Sequence, residues 1–264
     1  MNEYAENFKR LVSEIANGGN RYTVFNDFCK MSALSVAQKL NFDQRRENMY
    51  LEIVKKYPRD SVQKFVDMFW QLAAALNDCI TGKALKVNCP PLEAEGVNLQ
   101  FPLNYKDPRY EDVLGDIFTE MNQHDQKDGQ VFTPAHIGNI MGELTLTEDY
   151  AWSEIKRQGF IVIKENCCGS GAITFGALNR LLDLNISPNY QTLVIASDTD
   201  ERCVHMCYLQ LSLYGIPAVV LQRNDITDEI YDEWFTPLFV RNPLFNETGG
   251  KFYAHTAAKK IYGL

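Results

Sequence analysis

Residues 159–184, GFIVIKENCCGSGAITFGALNRLLDL, decide the fold. The apolar run at the start predicts a short buried strand, the glycines after it predict a turn, and the apolar spacing of the rest predicts a helix. Strands that alternate with helices in this way indicate an α/β fold with a parallel, doubly wound, Rossmann-like sheet. The predicted strands are GFIVIKEN (159–166), QTLVIASD (191–198), AVVLQRND (218–225) and EWFTPLFV (233–240).

The chain before this region has a different pattern and predicts helices. Prolines and a glycine between residues 88 and 108 predict a connector, and a further helix is predicted from about Arg109 to Gln123. We therefore predict a helical N-terminal domain over residues 1–125 and the Rossmann-like domain over residues 126–264. Two apolar stripes at helical spacing mark the first part: Phe25, Cys29, Ala33, Val36 and Leu40, and then Phe65, Met68, Phe69, Leu72 and Leu76.

The composition is that of an ordinary globular protein, with 264 residues of which 45% are hydrophobic and 23% charged. The formal net charge of −8 argues against independent, tight binding to DNA, because such binding needs Lys and Arg to neutralise phosphates. No apolar run reaches the roughly 20 residues that span a bilayer, and no signal peptide is evident, so we expect a cytoplasmic protein without a membrane partner. The seven cysteines form no CxxC pair, so we predict reduced thiols and no metal site.

The residues after the first predicted strand suit the close approach of a ligand, which in such sheets binds beyond the carboxyl ends of the strands. Gly169 and Gly171 permit a tight turn, and the helix that follows presents its N-terminus. A pair of glycines is also common in purely structural turns. The third glycine of a dinucleotide fingerprint and the Lys-Ser/Thr of a phosphate loop are missing, which argues against a bound nucleotide phosphate.

Acidic side chains follow the second and third strands. Asp198, with Thr199 beside it, can accept hydrogen bonds from two ribose hydroxyls. Either Asp198 or Asp200 could instead cap the next helix, and Asp200 is the better candidate for the cap. Asp225 suits an exocyclic adenine amine, or it could be a turn residue. Together the three strand ends predict a ligand that contains adenosine without a pyrophosphate, and S-adenosyl-L-methionine fits.

The stretch DGQVFTPAHIGNIMGEL (128–144) resembles the GQ-F/Y-TP motif of the adenine-N6 DNA methyltransferases, particularly the modification subunits of type I restriction systems. The resemblance implies that Gln130, Phe132, Thr133 and Pro134 close over the methionine end of S-adenosyl-L-methionine, with a helix starting near Ala135. The local alternative is a helix that is capped by Thr133 and has Pro134 in its first turn. Both can hold.

The glycine loop resembles the family's Asp-Pro-x-x-Gly-Ser-Gly and departs from it at its first two positions, Glu165 and Asn166. The resemblance implies that Glu165 faces the ammonium group of the cofactor. It also matches Asp198 to the acid that binds the ribose and Asp225 to the partner of the adenine amine. The loop positions that it assigns to the cofactor site are Glu165, Cys167, Gly169 and Gly171.

The stretch RNPLF (241–245) resembles the family's Asn/Asp-Pro-Pro-Phe/Tyr motif, with Leu244 in place of the second proline. The resemblance implies that Asn242 and Pro243 accept hydrogen bonds from the amine of a flipped adenine, while Phe245 stacks on its ring. This requires the fourth strand to end next to Asn242. Alternatively, Pro237 ends the strand, because proline is unfavourable within a central strand, and the motif then lies on a downstream loop.

Little sequence follows the motif, so the predicted sheet is shortened after its fourth strand. The resemblance extends to short methylase-like proteins of plasmids and phages with a similar WFTP ending. It implies an adenine-N6 DNA methyltransferase that reaches DNA directly or through a partner, either a specificity subunit of a restriction–modification system or a second copy of the chain.

Two other functions remain open. One is a non-catalytic module that binds S-adenosyl-L-methionine and completes or blocks the assembly of a restriction–modification partner. The other is methylation of a protein glutamine or an RNA base, which uses the same Asn-Pro-Pro-aromatic chemistry. The distance of Asn242 from the methyl end of the cofactor pocket distinguishes the enzyme from the module.

Overall fold

The computed structural model describes residues 3–81, 109–125, 132–242 and 245. These residues form a mixed α/β fold with a four-stranded, mostly parallel sheet. The strands are β1 (Ile161–Asn166), β2 (Thr192–Asp198), β3 (Ala218–Asn224) and β4 (Glu229–Phe235). The helices are α1 (Glu3–Ala16), α2 (Arg21–Gln38), α3 (Gln44–Val54), α4 (Arg59–Ile80), α5 (Val113–Asp125), α6 (Ala135–Thr145), α7 (Glu148–Gln158), α8 (Ala172–Asp183), α9 (Pro188–Gln191), α10 (Glu201–Leu213) and α11 (Pro237–Arg241).

The N-terminal helices follow the two apolar stripes. Helix α2 begins after Asn20, whose side chain accepts hydrogen bonds from the N–H groups of Tyr22 and Thr23, and its apolar side packs around Phe8 of α1. The stripe residues that are fully or nearly fully buried are Phe25, Cys29, Ala33, Phe65, Met68, Leu72 and Leu76. Val36 and Phe69 are partly buried at the margin of the same core.

The helical part and the sheet share one hydrophobic core. Helix α2 packs against α10, and the Lys30 ammonium lies 2.7 Å from the Glu201 carboxylate across this contact. Phe118 of α5 connects Phe25 on one side with Phe132 on the other. The core therefore shows no break at residue 125 in the described part of the chain, and the division into two domains stays a prediction.

Three strands of the sheet are parallel, as the sequence predicts. The strand order is β1-β2-β3-β4, so the described strands lack the reversal of order that defines the predicted doubly wound sheet. The fourth strand corrects the prediction, because β4 runs antiparallel to β3, with Val219 opposite Phe235. A crossover between parallel strands needs a dozen or more residues, and only a short turn joins Asn224 to Glu229. Asn224 stabilises that turn by accepting hydrogen bonds from the N–H groups of Ile226 and Thr227.

Proline ends the fourth strand, which confirms the alternative weighed above. Strand β4 ends at Phe235, and Pro237 is the first residue of α11, where its fixed φ suits a helix and its missing N–H costs no hydrogen bond. Thr236 fixes the junction, since its Oγ1 accepts from the Ala218 N–H (2.8 Å) and donates to the Ile216 carbonyl (2.7 Å). The motif RNPLF therefore does not follow a strand.

The two faces of the sheet are covered differently. Helices α8 and α10 pack on one face, in the same core as the N-terminal helices. On the other face, Phe239 of α11 and Phe245 pack against apolar side chains of β2 and β3. Among the described helices, none is long and apolar enough to cross a membrane.

Candidate functional site

The carboxyl ends of β1, β2 and β3 meet at one edge of the sheet, because the strands are parallel and in register, with Asn166 beside Ser197. Backbone and side-chain hydrogen bonds join the three strand ends. The Cys168 N–H donates to the Ser197 carbonyl (2.8 Å), the Gly169 N–H donates to Asp198 Oδ2 (2.9 Å), and the Ser197 hydroxyl donates to Asp225 Oδ2 (2.8 Å). The structure thus brings together the glycine loop, Asp198 and Asp225, which the sequence singles out separately.

Both predicted glycines have backbone angles and neighbours that disfavour a residue with a side chain. Gly169 has φ +54°, and a Cβ there would lie 3.1 Å from the ring of Phe132. Gly171 has φ +110° and forms the N-cap of α8, where a Cβ would lie 3.1 Å from the ring of Phe175. Cys167 also has a positive φ (+58°), which is uncommon for a residue with a side chain, and it is exposed at the tip of the loop.

Glu165 lies at the end of β1 and points to the first turn of α8. Its Oε2 accepts hydrogen bonds from the Thr174 N–H (2.9 Å) and from the Thr174 hydroxyl. Burial raises the pKa of Glu165 to about 7, although both hydrogen bonds favour the charged form. In the absence of a ligand, this carboxyl therefore anchors α8 beneath the loop and exchanges its proton near neutral pH.

The sequence leaves open which of Asp198 and Asp200 caps the next helix and which is available for ribose hydroxyls. Asp200 is the N-cap of α10 and accepts from the Arg202 N–H (2.9 Å), so its predicted role as the cap is confirmed. Asp198 is partly exposed and accepts from the N–H groups of Gly169 and Asp200, one at each oxygen. Each carboxylate oxygen can accept a further hydrogen bond, so Asp198 can still bind ligand hydroxyls. Thr199 is exposed beside it.

Asp225 is largely buried, with 13% of its side chain exposed. Its Oδ2 accepts from Ser197, but its Oδ1 is buried and accepts no hydrogen bond from the described residues. Arg223 Nε lies 3.3 Å from Oδ1 outside hydrogen-bonding geometry. Asp225 is also the first residue of the turn between β3 and β4, which confirms the alternative role, although Asn224 accepts the hydrogen bonds of that turn. Its Oδ1 can therefore still accept a hydrogen bond from another partner.

The FTP segment lies directly against the glycine loop. The ring of Phe132 is buried next to Gly169 and packs edge-on against Phe118, with centroids 4.8 Å apart. Helix α6 begins at Ala135, as predicted, but Pro134 rather than Thr133 occupies the N-cap position and no side chain caps the helix. Gln130 lies outside the described residues.

Close helix packing holds this segment in place. Helices α6 and α8 touch through glycines, and a Cβ at Gly176 would lie 2.0 Å from the Gly138 carbonyl oxygen. A Cβ at Gly142 would likewise lie 2.5 Å from the Gly176 carbonyl oxygen. Because the backbones approach this closely, α6 can carry Phe132 to the loop that precedes α8.

The structure does not bring Asn242 and Phe245 to this edge. Phe245 packs edge-on against Phe160, with centroids 4.9 Å apart, and stacks on Phe239. Phe160 precedes β1 and the glycine loop follows it, so the two ends are separated by about 20 Å of extended chain. Asn242 is buried at the end of α11, where its N–H donates to the Leu238 carbonyl. Pro243 lies outside the described residues.

This placement departs from the expectation that RNPLF stands beside the cofactor. The physical reason is the hairpin, because a fourth strand that runs antiparallel to β3 ends next to the start of β3, opposite the carboxyl edge. Val219 is paired with Phe235, one residue before Thr236 and the helix that leads to Asn242. The motif is therefore delivered to the amino end of the sheet.

Sequence reasoning missed Asp112 and Gln210, which contact the glycine loop from behind. Asp112 precedes α5, its Oδ1 accepts from the Gly115 N–H (2.9 Å), and its Oδ2 accepts from the Ser170 hydroxyl. Burial raises the pKa of Asp112, and hydrogen bonds from Gln210 and Ser170 oppose that rise. An aspartate just before a helical pattern is an N-cap signal, so EDVLGD could have identified Asp112 as a cap, but nothing local indicates its contact with Ser170.

Comparison with known protein families and with curated proteins gives no match. Among solved structures, the chain is similar to the methyltransferase subunit of a type I restriction-modification system from Streptococcus thermophilus, with 13% sequence identity and a TM-score of 0.32. The similarity covers 81% of this chain and 57% of that subunit, so the chain spans little more than half the length of the protein it matches. A likeness of this size carries no argument about function, which has to come from the residues of the chain itself.

Proposed function

We propose that this chain is an S-adenosyl-L-methionine-binding module, similar in its site to the adenine-N6 DNA methyltransferases, and that it acts through a partner protein of a restriction–modification system. The observation that carries the proposal is the buried Oδ1 of Asp225, which forms an ion pair with Arg223 (3.3 Å) but accepts no hydrogen bond from the described residues, at the same sheet edge as Asp198 and the glycine loop. The ion pair offsets part of the cost of burying this oxygen, and a ligand that donates a hydrogen bond to it from an amine or hydroxyl would offset more.

The residues at the edge fit the chemistry of the cofactor. Asp225 would accept from the adenine amine, and Asp198 would accept from the ribose hydroxyls with its remaining lone pairs. The glycine loop allows backbone to approach the methionine end, where Phe132 forms the wall behind Gly169. Glu165 beneath the loop would favour the cationic ammonium group. When bound, S-adenosyl-L-methionine supplies an electrophilic methyl group.

The position of the RNPLF motif and the net charge favour a non-catalytic module over a methyltransferase that acts alone. The ring of Phe245 already packs on Phe160 and Phe239, so it is engaged by the protein and does not offer a free platform for a base. The charge of −8 also argues against a chain that grips DNA alone. A partner protein that supplies the contacts to DNA would account for both the engaged ring of Phe245 and the negative net charge.

Calorimetric titration with S-adenosyl-L-methionine tests the cofactor site. We expect Asp198→Ala and Asp225→Ala to weaken binding by about tenfold to a hundredfold each, the cost of losing a charge-assisted hydrogen bond. Asp183→Ala is the matched control, since it removes an equal charge at the far end of α8, where Asp183 pairs with Arg109. Equal affinity of all three variants and the unmodified chain would remove both carboxylates from the site.

A tritium-methyl transfer assay on mixed DNA separates the module from the enzyme. We expect binding without transfer by the purified chain. Methyl transfer by the unmodified chain that is lost in Asn242→Ala would instead show that RNPLF is catalytic, and it would overturn the hypothesis of a non-catalytic module.

A further inference from the structure

A buried polar cluster lies behind the glycine loop and joins it to two helices. Its members are Asp112, Ser170 and Gln210, which are 5%, 1% and 0% exposed. The Ser170 hydroxyl donates to Asp112 Oδ2, and Gln210 Nε2 donates to Asp112 Oδ1 (2.9 Å) and to the Ser170 carbonyl (3.1 Å). The cluster therefore grips Ser170 at both its side chain and its backbone.

The same cluster fixes the start of α5. Asp112 Oδ1 accepts from the Gly115 N–H (2.9 Å), and Gln210 Oε1 accepts from the Leu114 N–H (3.0 Å). The contact is too close for a side chain at Gly115, where a Cβ would lie 2.2 Å from Asp112 Oδ2 and 2.4 Å from the Ser170 hydroxyl oxygen. Helix α5, the loop and α10 are thus locked to one another through a single carboxylate.

This arrangement matters for the loop because Ser170 stands between two residues with left-handed backbones. Gly169 and Gly171 have φ +54° and +110°, and glycine has the widest conformational freedom of any residue. The Gly169 N–H is held from the front by Asp198, and Ser170 is held from behind by Asp112 and Gln210. Removing the rear contacts would leave the central residue of the loop attached mainly through its flexible neighbours.

We propose that Asp112 is a positioning residue for the ligand site: by holding Ser170, it keeps residues 169–171 in the conformation that admits S-adenosyl-L-methionine. The identity of the ligand rests on the proposed function, whereas the restraint on the loop does not. Asp112 itself touches no ligand in this proposal, because its buried carboxylate is occupied by hydrogen bonds from Ser170, Gln210 and Gly115.

Hydrogen–deuterium exchange of the ligand-free protein tests the restraint. We expect Asp112→Ala and Ser170→Ala to accelerate exchange of the loop amides, because each removes the same hydrogen bond. Asp27→Ala is the matched control: Asp27 is also a buried carboxylate, it accepts from Tyr57 and Lys56, and it lies on α2 away from the loop. A purely structural role predicts equal loop exchange in Asp112→Ala and Asp27→Ala once they are compared at equal stability, and that result would overturn the proposal.

Titration with S-adenosyl-L-methionine at a temperature where every variant is folded supplies the second readout. We expect affinity to fall about tenfold or more in Asp112→Ala, to stay unchanged in Asp27→Ala, and to recover in Asp112→Asn, whose amide can donate to the Ser170 hydroxyl. The double variant Asp112→Ala/Ser170→Ala should bind no worse than Asp112→Ala, because the hydrogen bond that Ser170→Ala removes is already lost in Asp112→Ala.

The two measurements distinguish the possible failures. If the unmodified chain does not bind S-adenosyl-L-methionine, the proposed function fails, and the exchange data still decide whether Asp112 restrains the loop. If the chain binds and Asp112→Ala binds equally well, the positioning role is overturned while the cofactor site stands.

Discussion

At the scale of single residues, two buried titratable groups have strongly shifted pKa values and are expected to change the stability with pH in opposite directions. Glu165 is a carboxyl whose pKa is raised to about 7, and His205 is an imidazole whose pKa is lowered to about 3. In both cases burial is the largest cause, because it disfavours the charged form. Variants that remove one titration at a time can separate the two effects.

For Glu165, we expect the stability of the ligand-free protein to favour low pH. The folded pKa exceeds the unfolded value of 4.5, so this stabilising contribution is complete below pH 4.5 and is lost as pH rises through about 7. In Glu165→Gln the amide oxygen still accepts a hydrogen bond from Thr174, but the side chain no longer titrates. As the pH rises from about 5 to about 8, the free energy of unfolding of this variant should increase by about 1 to 3 kcal/mol relative to that of the unmodified chain. Urea midpoints at both pH values measure the difference, and parallel behaviour of the two proteins would contradict it.

For His205, we expect the opposite slope. The side chain is 2% exposed against Trp234, and the positive charges of Lys30 and Arg46 add to the cost of protonation. Because the folded pKa lies below the unfolded value of 6.5, stability is present above pH 6.5 and is lost as pH falls toward about 3.

His205→Gln should therefore lose less stability on acidification than the unmodified chain, by about 1 to 2 kcal/mol between pH 6.5 and about pH 5. Thermal melts of both proteins across this range provide the measurement. An acid loss of the same size in His205→Gln would assign it to other groups.

At the scale of secondary-structure elements, the contact between α6 and α8 is the most demanding packing near the site. Gly176→Ala adds a Cβ that would lie 2.0 Å from the Gly138 carbonyl oxygen, so the helices must separate. We expect a loss of about 2 to 4 kcal/mol despite the better helix propensity of alanine, together with weaker cofactor binding as Phe132 moves off the loop. Chemical denaturation and calorimetry test both, with Ser35→Ala on the exposed side of α2 as a helical control that should change neither.

The hairpin of β3 and β4 is the main difference between the predicted and the observed sheet, because a parallel fourth strand was predicted. The turn from Asn224 to Glu229 is too short for a parallel crossover, and this length was available in the sequence. The prediction placed the strand at residues 233–240 because EWFTPLFV is strongly apolar. The strand instead begins at Glu229, in a more polar stretch, and ends at Phe235. Trp234 is buried against His205 and Tyr208, with the Arg46 guanidinium 4.1 Å from its ring, so β4 seals the sheet against α3 and α10.

At the scale of the whole molecule, the shared core predicts that the helical half and the sheet unfold together. Phe25 is fully buried in α2 and packs with Phe8 and Phe118, and α2 packs on α10. Phe25→Ala should cost about 3 to 5 kcal/mol, and native-state hydrogen–deuterium exchange should show the same loss of stability in α2 and in β2. If α2 loses protection and β2 does not, residues 1–125 form an independent domain, as the sequence analysis predicted.

The sequence by itself determined the parallel strands, the turn at the two glycines and the helices that follow, because these depend on apolar spacing and on local backbone freedom. It also identified Asp198, Asp200 and Asp225, since parallel strands carry the residues after them to one edge. Tertiary structure alone decided three things: the start of β4 at Glu229, the position of Phe245 at the amino end of the sheet, and the contact of Asp112 with Ser170. Each of these depends on which distant segments of the chain become neighbours, and no local pattern of residues specifies that.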